Sequence, residues 1–274
     1  GWHCYPACFM EREMQIRHLQ NIQAVILDMD GVLWRDGEPI GDLPAIFDDF
    51  DRAGLKVLLA TNNGTRTPDQ YLKKFASLGV SLKRDQIITS AMGAAYLLQQ
   101  RFPQRGNVYV IGEAGVIEAM NEAGFSVHSE SALAVVAGMD RLISYEKLKT
   151  ACLLIRAGSA FYGTNPDRTF PTPEGLIPGA GAILAALEAC TDVAPIIAGK
   201  PNSTLFEFAV QRLGVTPEET LVVGDRLDTD ILGGVNAGCK TALVLTGIST
   251  HEEALTFEVH PDLIVPALED LLKA

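Results

Sequence analysis

Asp28 and Asp30 follow directly on the apolar run Ala24–Leu27, with one residue between them. In extended chain, residues i and i+2 point to the same side, so this spacing predicts two carboxylates facing one space. Such a pair repels unless a proton or a cation lies between its members. A hard divalent cation suits it best, and Mg²⁺ in particular takes oxygen ligands while keeping water and substrate phosphate in its shell. Asp225, after the apolar residues 221–223, supplies a third carboxylate, and Asp230 is expected to begin the helix that follows. An aspartate in any of these places equally opens a turn or caps a helix. No single one of the four therefore decides the chemistry.

Thr61, Asn62, Asn63 and Gly64 lie between another apolar run and a predicted helix. Free backbone amides and short polar side chains in such a loop can hold an anion, although each residue is also an ordinary turn former. Lys200 follows Ile196, Ile197 and Ala198 and precedes Pro201. It therefore extends from a buried strand end rather than from a solvated helix face, and is a candidate to neutralise phosphate charge.

These residues need elements to position them. Short continuous apolar runs indicate parallel strands covered on both faces, and they alternate with helices that end in glycine. In the first helix, Pro44 suits the first position, Ile46, Phe47, Phe50 and Ala53 share a face, and Gly54 supplies the stop. The next has Thr67 as N-cap, Pro68 inside it and Gly79 as stop. The class is α/β with mainly parallel strands. Four polar clusters, beginning at Asp28, Thr61, Gly199 and Gly224, stand at the C-terminal ends of strands, where open parallel sheets bind ligands. Between the second and third cluster the alternation continues without another, which predicts an inserted domain.

Of 274 residues, 22 are Lys or Arg and 34 Asp or Glu, a net charge of −12. No basic cluster appears, so broad binding to nucleic acid or to an anionic membrane is not expected. The longest apolar stretch, residues 175–187, contains a proline and is too short to span a bilayer. The cysteines, Cys4, Cys8, Cys152, Cys190 and Cys239, are odd in number and scattered, which fits a reducing, cytoplasmic location. Residues 1–13 read as an appended or upstream extension, with Met10 and Met14 as candidate starts, and are left out of the fold. Gly112-Glu113-Ala114-Gly115 lacks the full dinucleotide pattern and reads as a strand-to-helix turn. His128, His251 and His260 read as surface or turn residues.

Together the clusters resemble the motifs of the haloacid dehalogenase superfamily: DxDGV at Asp28 to Val32, a threonine at Thr61, a lysine at Lys200, and GDxxxTD at Gly224 to Asp230. The long insertion, with Thr164-Asn165-Pro166-Asp167 and Pro178-Gly179-Ala180-Gly181, resembles subfamily IIA, which has an α/β cap and includes p-nitrophenyl phosphatases, phosphoglycolate phosphatases and NagD-like proteins. The resemblance implies a doubly wound parallel-sheet core over residues 14–103 and 196–274 and an inserted α/β cap over residues 104–195. It further implies hydrolysis of a small phosphorylated metabolite (a sugar phosphate, phosphoglycolate, nucleotide or aryl phosphate) through an aspartyl-phosphate on Asp28. Asp30 would act as acid and base, and Mg²⁺ would be held by Asp28, the Asp30 carbonyl, Asp225 and Asp230. Thr61, Asn62, Asn63 and Lys200 would bind the phosphoryl oxygens. Specificity is expected from Asp167, Arg168 and Phe170, and a homodimer through the cap. Phosphoryl transfer to another acceptor, as in a mutase, and a slow-turnover regulatory protein are the alternatives, and the acid at Asp30 speaks against the second.

Overall fold

The computed structural model describes residues 21–35, 37–128 and 131–272. The expected extension at residues 1–13, with Cys4, Cys8 and both candidate starts, lies outside the described residues. The described chain forms two compact units. One holds the residues up to Leu59, Ser77–Val80 and those from Ala209 onward, and the other holds Ala60–Ala76 and Ser81–Phe208.

Parallel strands lie side by side in the order Leu263–Val265, Lys240–Val244, Thr220–Gly224, Ala24–Leu27 and Lys56–Thr61, all in the first unit except Ala60 and Thr61 at the end of the last strand. Ala24–Leu27 is buried along its whole length, as is Thr220–Gly224. These strands have no solvated face, which is why they read as unbroken apolar runs rather than as an alternation. Leu27 pairs with Val223 on one side and Leu59 on the other. The strand order reverses direction between Ala24–Leu27 and Thr220–Gly224. In open α/β sheets that reversal opens a crevice at the carboxyl ends of the strands, and Asp28 and Asp225 are the first residues beyond those two ends.

The first helix, Leu43–Arg52, starts one residue earlier than its proline suggested: Asp42 is the N-cap, and its Oδ1 accepts from the Ala45 N–H at 3.2 Å. Leu43, Ile46 and Phe50 are buried, each side chain contributing roughly 1.5–3 kcal/mol by leaving water. Ala53, expected on that face, is instead the exposed C-cap, because the chain already turns there toward Gly54 at φ +71°.

The second unit carries its own parallel sheet in the order Ile196–Ile197, Ala160–Gly163, Ala134–Ala137, Asn107–Ile111 and Ser126–Val127. Successive residues of Ala134–Ala137 serve opposite faces. Ala134 and Val136 pack with Leu98, Met120 and Phe125, while Val135 and Ala137 pack with Ile155, Phe161 and Leu187. The helices Ala114–Glu122, Tyr145–Arg156 and Ala180–Thr191 also lie in this unit, as does the antiparallel hairpin Thr169–Thr172 with Gly175–Pro178. Gly112 and Glu113 join strand to helix, as their pattern suggested. Among the described residues no helix is long and apolar enough to cross a membrane.

Candidate active site

The predicted site residues fall into two groups, one in each unit. In the first unit, Asp28, Asp225 and Asp230 each bring one carboxylate oxygen within 4.8 Å of the others. Asp28 is half-buried, whereas Asp225 is 3% and Asp230 2% exposed. The Asp28 N–H donates to the Val223 carbonyl at 2.9 Å, so the pairing of the strands carries on into the site. Asp225 Oδ2 accepts from the Ile248 N–H at 2.8 Å, and Asp230 Oδ2 accepts from the Arg226 N–H at 3.1 Å. Rather than opening a regular helix, as expected, Asp230 sits in the π-helical turn Leu227–Ile231 ahead of Leu232–Asn236. That wider turn folds its carboxylate back against Gly224.

Glycines make this packing possible. A Cβ on Gly31 would stand 2.4 Å from Asp225 Oδ2, one on Gly247 1.9 Å from the same oxygen, and one on Gly224 2.1 Å from the Asp230 Cβ. The Gly247 loop was absent from the sequence-derived site. Its signal was available, since Thr246-Gly247 is a further polar step beyond a buried strand, Lys240–Val244. Thr246 Oγ1 donates to the Gly31 carbonyl at 2.6 Å, so the loops after Asp28 and after Lys240–Val244 hold each other.

Asp30 does not join the three clustered carboxylates. It is exposed, and its Oδ1 accepts from the Trp34 indole N–H at 2.8 Å. Gly31, at φ +80°, turns the chain between them. Asp228 is exposed and pairs with Arg226, as a surface residue would.

Three carboxylates this close, two of them buried, repel one another by about 4 kcal/mol per pair at ~4 Å and an effective dielectric of ~20. Among the described residues they are the group of acidic, His or Cys side chains placed to share a metal ion. An all-oxygen donor set fits a hard cation such as Mg²⁺ better than zinc or copper, which favour nitrogen and sulfur ligands.

In the second unit, Thr61 is 2% exposed and its Oγ1 accepts from the Asn63 N–H at 3.1 Å. The Thr61 O–H keeps its donor. Asn63 Oδ1 accepts from the Thr65 N–H and hydroxyl at 3.1 and 2.7 Å, and the Tyr71 hydroxyl donates to the Asn63 carbonyl at 3.2 Å. The Asn63 side chain thus builds the loop. Lys200 is 2% exposed, with its Nζ donating to the Ala60 carbonyl at 3.1 Å and lying 5.9 Å from the centre of the Phe206 ring. Asn62 Oδ1 accepts from the Lys200 N–H at 2.8 Å, while its Nδ2 donates to the Lys200 carbonyl at 3.1 Å and to Asp167 Oδ2 at 3.3 Å. Asn165, buried and quoted only as part of a motif, donates from Nδ2 to the Asn62 carbonyl at 2.7 Å. Arg168 is exposed, and Phe170 is half-buried in the hairpin beneath the Arg141 guanidinium, 5.9 Å from its ring centre.

The chain matches the family described as haloacid dehalogenase-like hydrolase over residues 25–126 and one described as HAD-hydrolase-like over residues 197–271. It is 38% identical to the 5'-nucleotidase YutF of Bacillus subtilis, over 85% of this chain and 91% of that protein. It is 36% identical to phosphoglycolate phosphatase 2 of Arabidopsis thaliana, over 92% and 93%. The crystal structure of a 4-nitrophenylphosphatase from Thermotoga maritima superposes with a TM-score of 0.88 at 34% identity, covering 94% of this chain and 98% of that one.

Proposed function

Since the chain belongs to the haloacid dehalogenase-like hydrolases and is a phosphatase, we propose that it hydrolyses small phosphomonoesters with Mg²⁺ through a phosphoryl group carried briefly on Asp28. The observation that carries this reading is the meeting of Asp28, Asp225 and Asp230 beyond the ends of neighbouring buried strands. These three carboxylates, with the Asp30 backbone carbonyl, would hold the cation. When bound, Mg²⁺ supplies Lewis-acid neutralisation of phosphoryl charge.

The Asp28 carboxylate attacks phosphorus, and the bond from phosphorus to the ester oxygen breaks. Asp30 gives its proton to the departing oxygen. Its Oδ1 is held by the Trp34 indole, which leaves the other oxygen to carry that proton. As a carboxylate, Asp30 next takes a proton from water. The water attacks phosphorus, the bond to Asp28 breaks, and inorganic phosphate leaves with Asp28 restored. The Thr61 hydroxyl, the backbone N–H of Asn62 and the Lys200 ammonium would bind the equatorial oxygens as charge spreads over them. Uncatalysed phosphate-monoester hydrolysis is slow enough that enzymes accelerate it up to about 10²¹-fold, so a nucleophile, a proton carrier and fixed positive charge all have work to do.

The same reading takes residues 104–195 as a cap that selects among phosphorylated metabolites through Asp167, Arg168 and Phe170 and provides a homodimer surface. The protein acts in the cytoplasm, where Cys152, Cys190 and Cys239 stay reduced. The test is release of inorganic phosphate from sugar, nucleotide, glycolate and aryl phosphates with Mg²⁺ and after chelation. Release that stops on chelation and resumes with Mg²⁺ is expected; undiminished release in chelator would contradict the proposal.

A further inference from the structure

We propose that the Asn62 side chain is a positioning residue, which clamps the backbone of Lys200 and ties it to the turn carrying Asp167, rather than a ligand of the phosphoryl group; this rests on the phosphatase reading above. A primary amide has two N–H donors and an oxygen with two lone pairs. In Asn62 both kinds of group are engaged: Oδ1 takes the Lys200 N–H, and Nδ2 serves both the Lys200 carbonyl and Asp167 Oδ2. The amide orientation follows from its partners, because an N–H can only donate and a carbonyl can only accept.

The two peptide groups flanking the Lys200 Cα are therefore bonded to one side chain, which restrains the backbone from which the lysine projects. Asn62 is itself held, since its carbonyl accepts from Asn165 Nδ2 at 2.7 Å and from the Ser90 hydroxyl. The approach is close enough to require glycine beside the lysine: a Cβ on Gly199 would stand 2.6 Å from Asn62 Oδ1. Asn165 Oδ1 accepts from the Asp167 N–H at 3.1 Å. The turn expected to meet substrate and the segment bearing the phosphoryl-binding lysine are thus joined by Asn62 and Asn165.

The test compares wild type with Asn62→Ala, Asn62→Asp and Asn62→Asp/Asp167→Asn in the full chain, by steady-state kinetics on p-nitrophenyl phosphate, inhibition by inorganic phosphate, and amide hydrogen exchange. Misplacing a charged group by about 1 Å can cost about 10²-fold in rate, so Asn62→Ala should lower kcat by about that factor while changing KM much less. The inhibition constant for phosphate should rise by about tenfold, as expected when a fixed cation drifts from its anion. Exchange at the Lys200 amide should quicken, whereas Ala198 and Gly199, bonded to the Gly163 and Thr164 carbonyls, should keep their protection. Asn62→Asp sets carboxylate oxygens against Asp167 and the Lys200 carbonyl; adding Asp167→Asn restores one donor and should recover part of the lost kcat. Wild-type kcat and phosphate inhibition in Asn62→Ala would overturn the positioning role, as would exchange quickened equally at residues 198–200. No recovery in the double variant would overturn the tie to Asp167. A wild-type protein that releases phosphate from no ester would instead sink the phosphatase reading, and is seen before any variant is made.

Discussion

Asp30 and Asp28 stand two residues apart, yet the structure gives their carboxylates different surroundings. Asp28 meets two buried acids, while Asp30 lies in the open and bonds the Trp34 indole. A cation held among the three acids would keep Asp28 ionised as the nucleophile, while the exposed Asp30 can exchange a proton with water. Asp30→Asn preserves the backbone carbonyl and the volume but removes the proton. Turnover of an alkyl phosphate should then fall by about 10²-fold or more, and turnover of an aryl phosphate, whose leaving group needs less protonation, should fall distinctly less. Equal losses on the two ester types would move Asp30 out of the proton-transfer role. The types and strand-end positions of these aspartates were legible in the sequence. The turning of Asp30 toward Trp34 was not, because the i, i+2 rule holds in extended chain and the chain leaves the strand at Leu27 and bends at Met29, between the two aspartates.

At the scale of elements, strand ends and loops hold the acids in place, and the loop after Lys240–Val244 does so by having no side chain where Asp225 needs room. Gly247→Ala places a methyl where the Asp225 carboxylate now lies. It should raise the Mg²⁺ concentration needed for half-maximal turnover by about tenfold or more and lower the melting temperature, since overpacking costs typically 1–3 kcal/mol. A titration of activity against Mg²⁺ checks the first and a thermal melt the second. Unchanged values of both would mean that Asp225 need not sit where it does.

The same strand begins beside Cys239, whose thiol burial pushes up to about 12, with the Glu218 carboxylate adding to the shift. A thiol raised in the folded state is favoured as the neutral form. Its contribution to stability is complete below the unfolded value near 9 and is lost as pH rises toward 12. Cys239→Ala should therefore show a shallower loss of stability between pH 9 and 12 than wild type in denaturant melts. Parallel curves would refute the coupling. Strands and helix stops were readable because burial on both faces and left-handed glycines leave plain marks in composition. The Gly247 loop shows in the sequence as a polar step after a strand, but its role does not, since a small residue there looks the same whether it makes a turn or room for a carboxylate.

For the whole molecule, the three clustered acids Asp28, Asp225 and Asp230 lie in the first unit, whereas Asp167, Arg168 and Phe170 lie in the second, which also holds Thr61 and Lys200. The class of fold was legible from alternating strands and helices. The partners of the cap residues were not, because Arg141 over Phe170 and Asn165 on Asn62 join residues far apart in sequence. If Arg168 and Phe170 select substrate, Arg168→Ala and Phe170→Ala should change relative kcat/KM among sugar, nucleotide and aryl phosphates severalfold while leaving Mg²⁺ dependence alone. A uniform change across the panel would assign them to folding of the hairpin.

The proposed reaction depends on Asp28 itself carrying the phosphoryl group. Acid-quenching the wild-type protein during turnover of a phosphomonoester with Mg²⁺, followed by peptide mass spectrometry, tests it most directly. A phosphoryl group on Asp28 is expected, absent after chelation and absent in Asp28→Asn, which should also release no phosphate. Steady phosphate release by Asp28→Asn, or a phosphoryl group found on another residue, would contradict it.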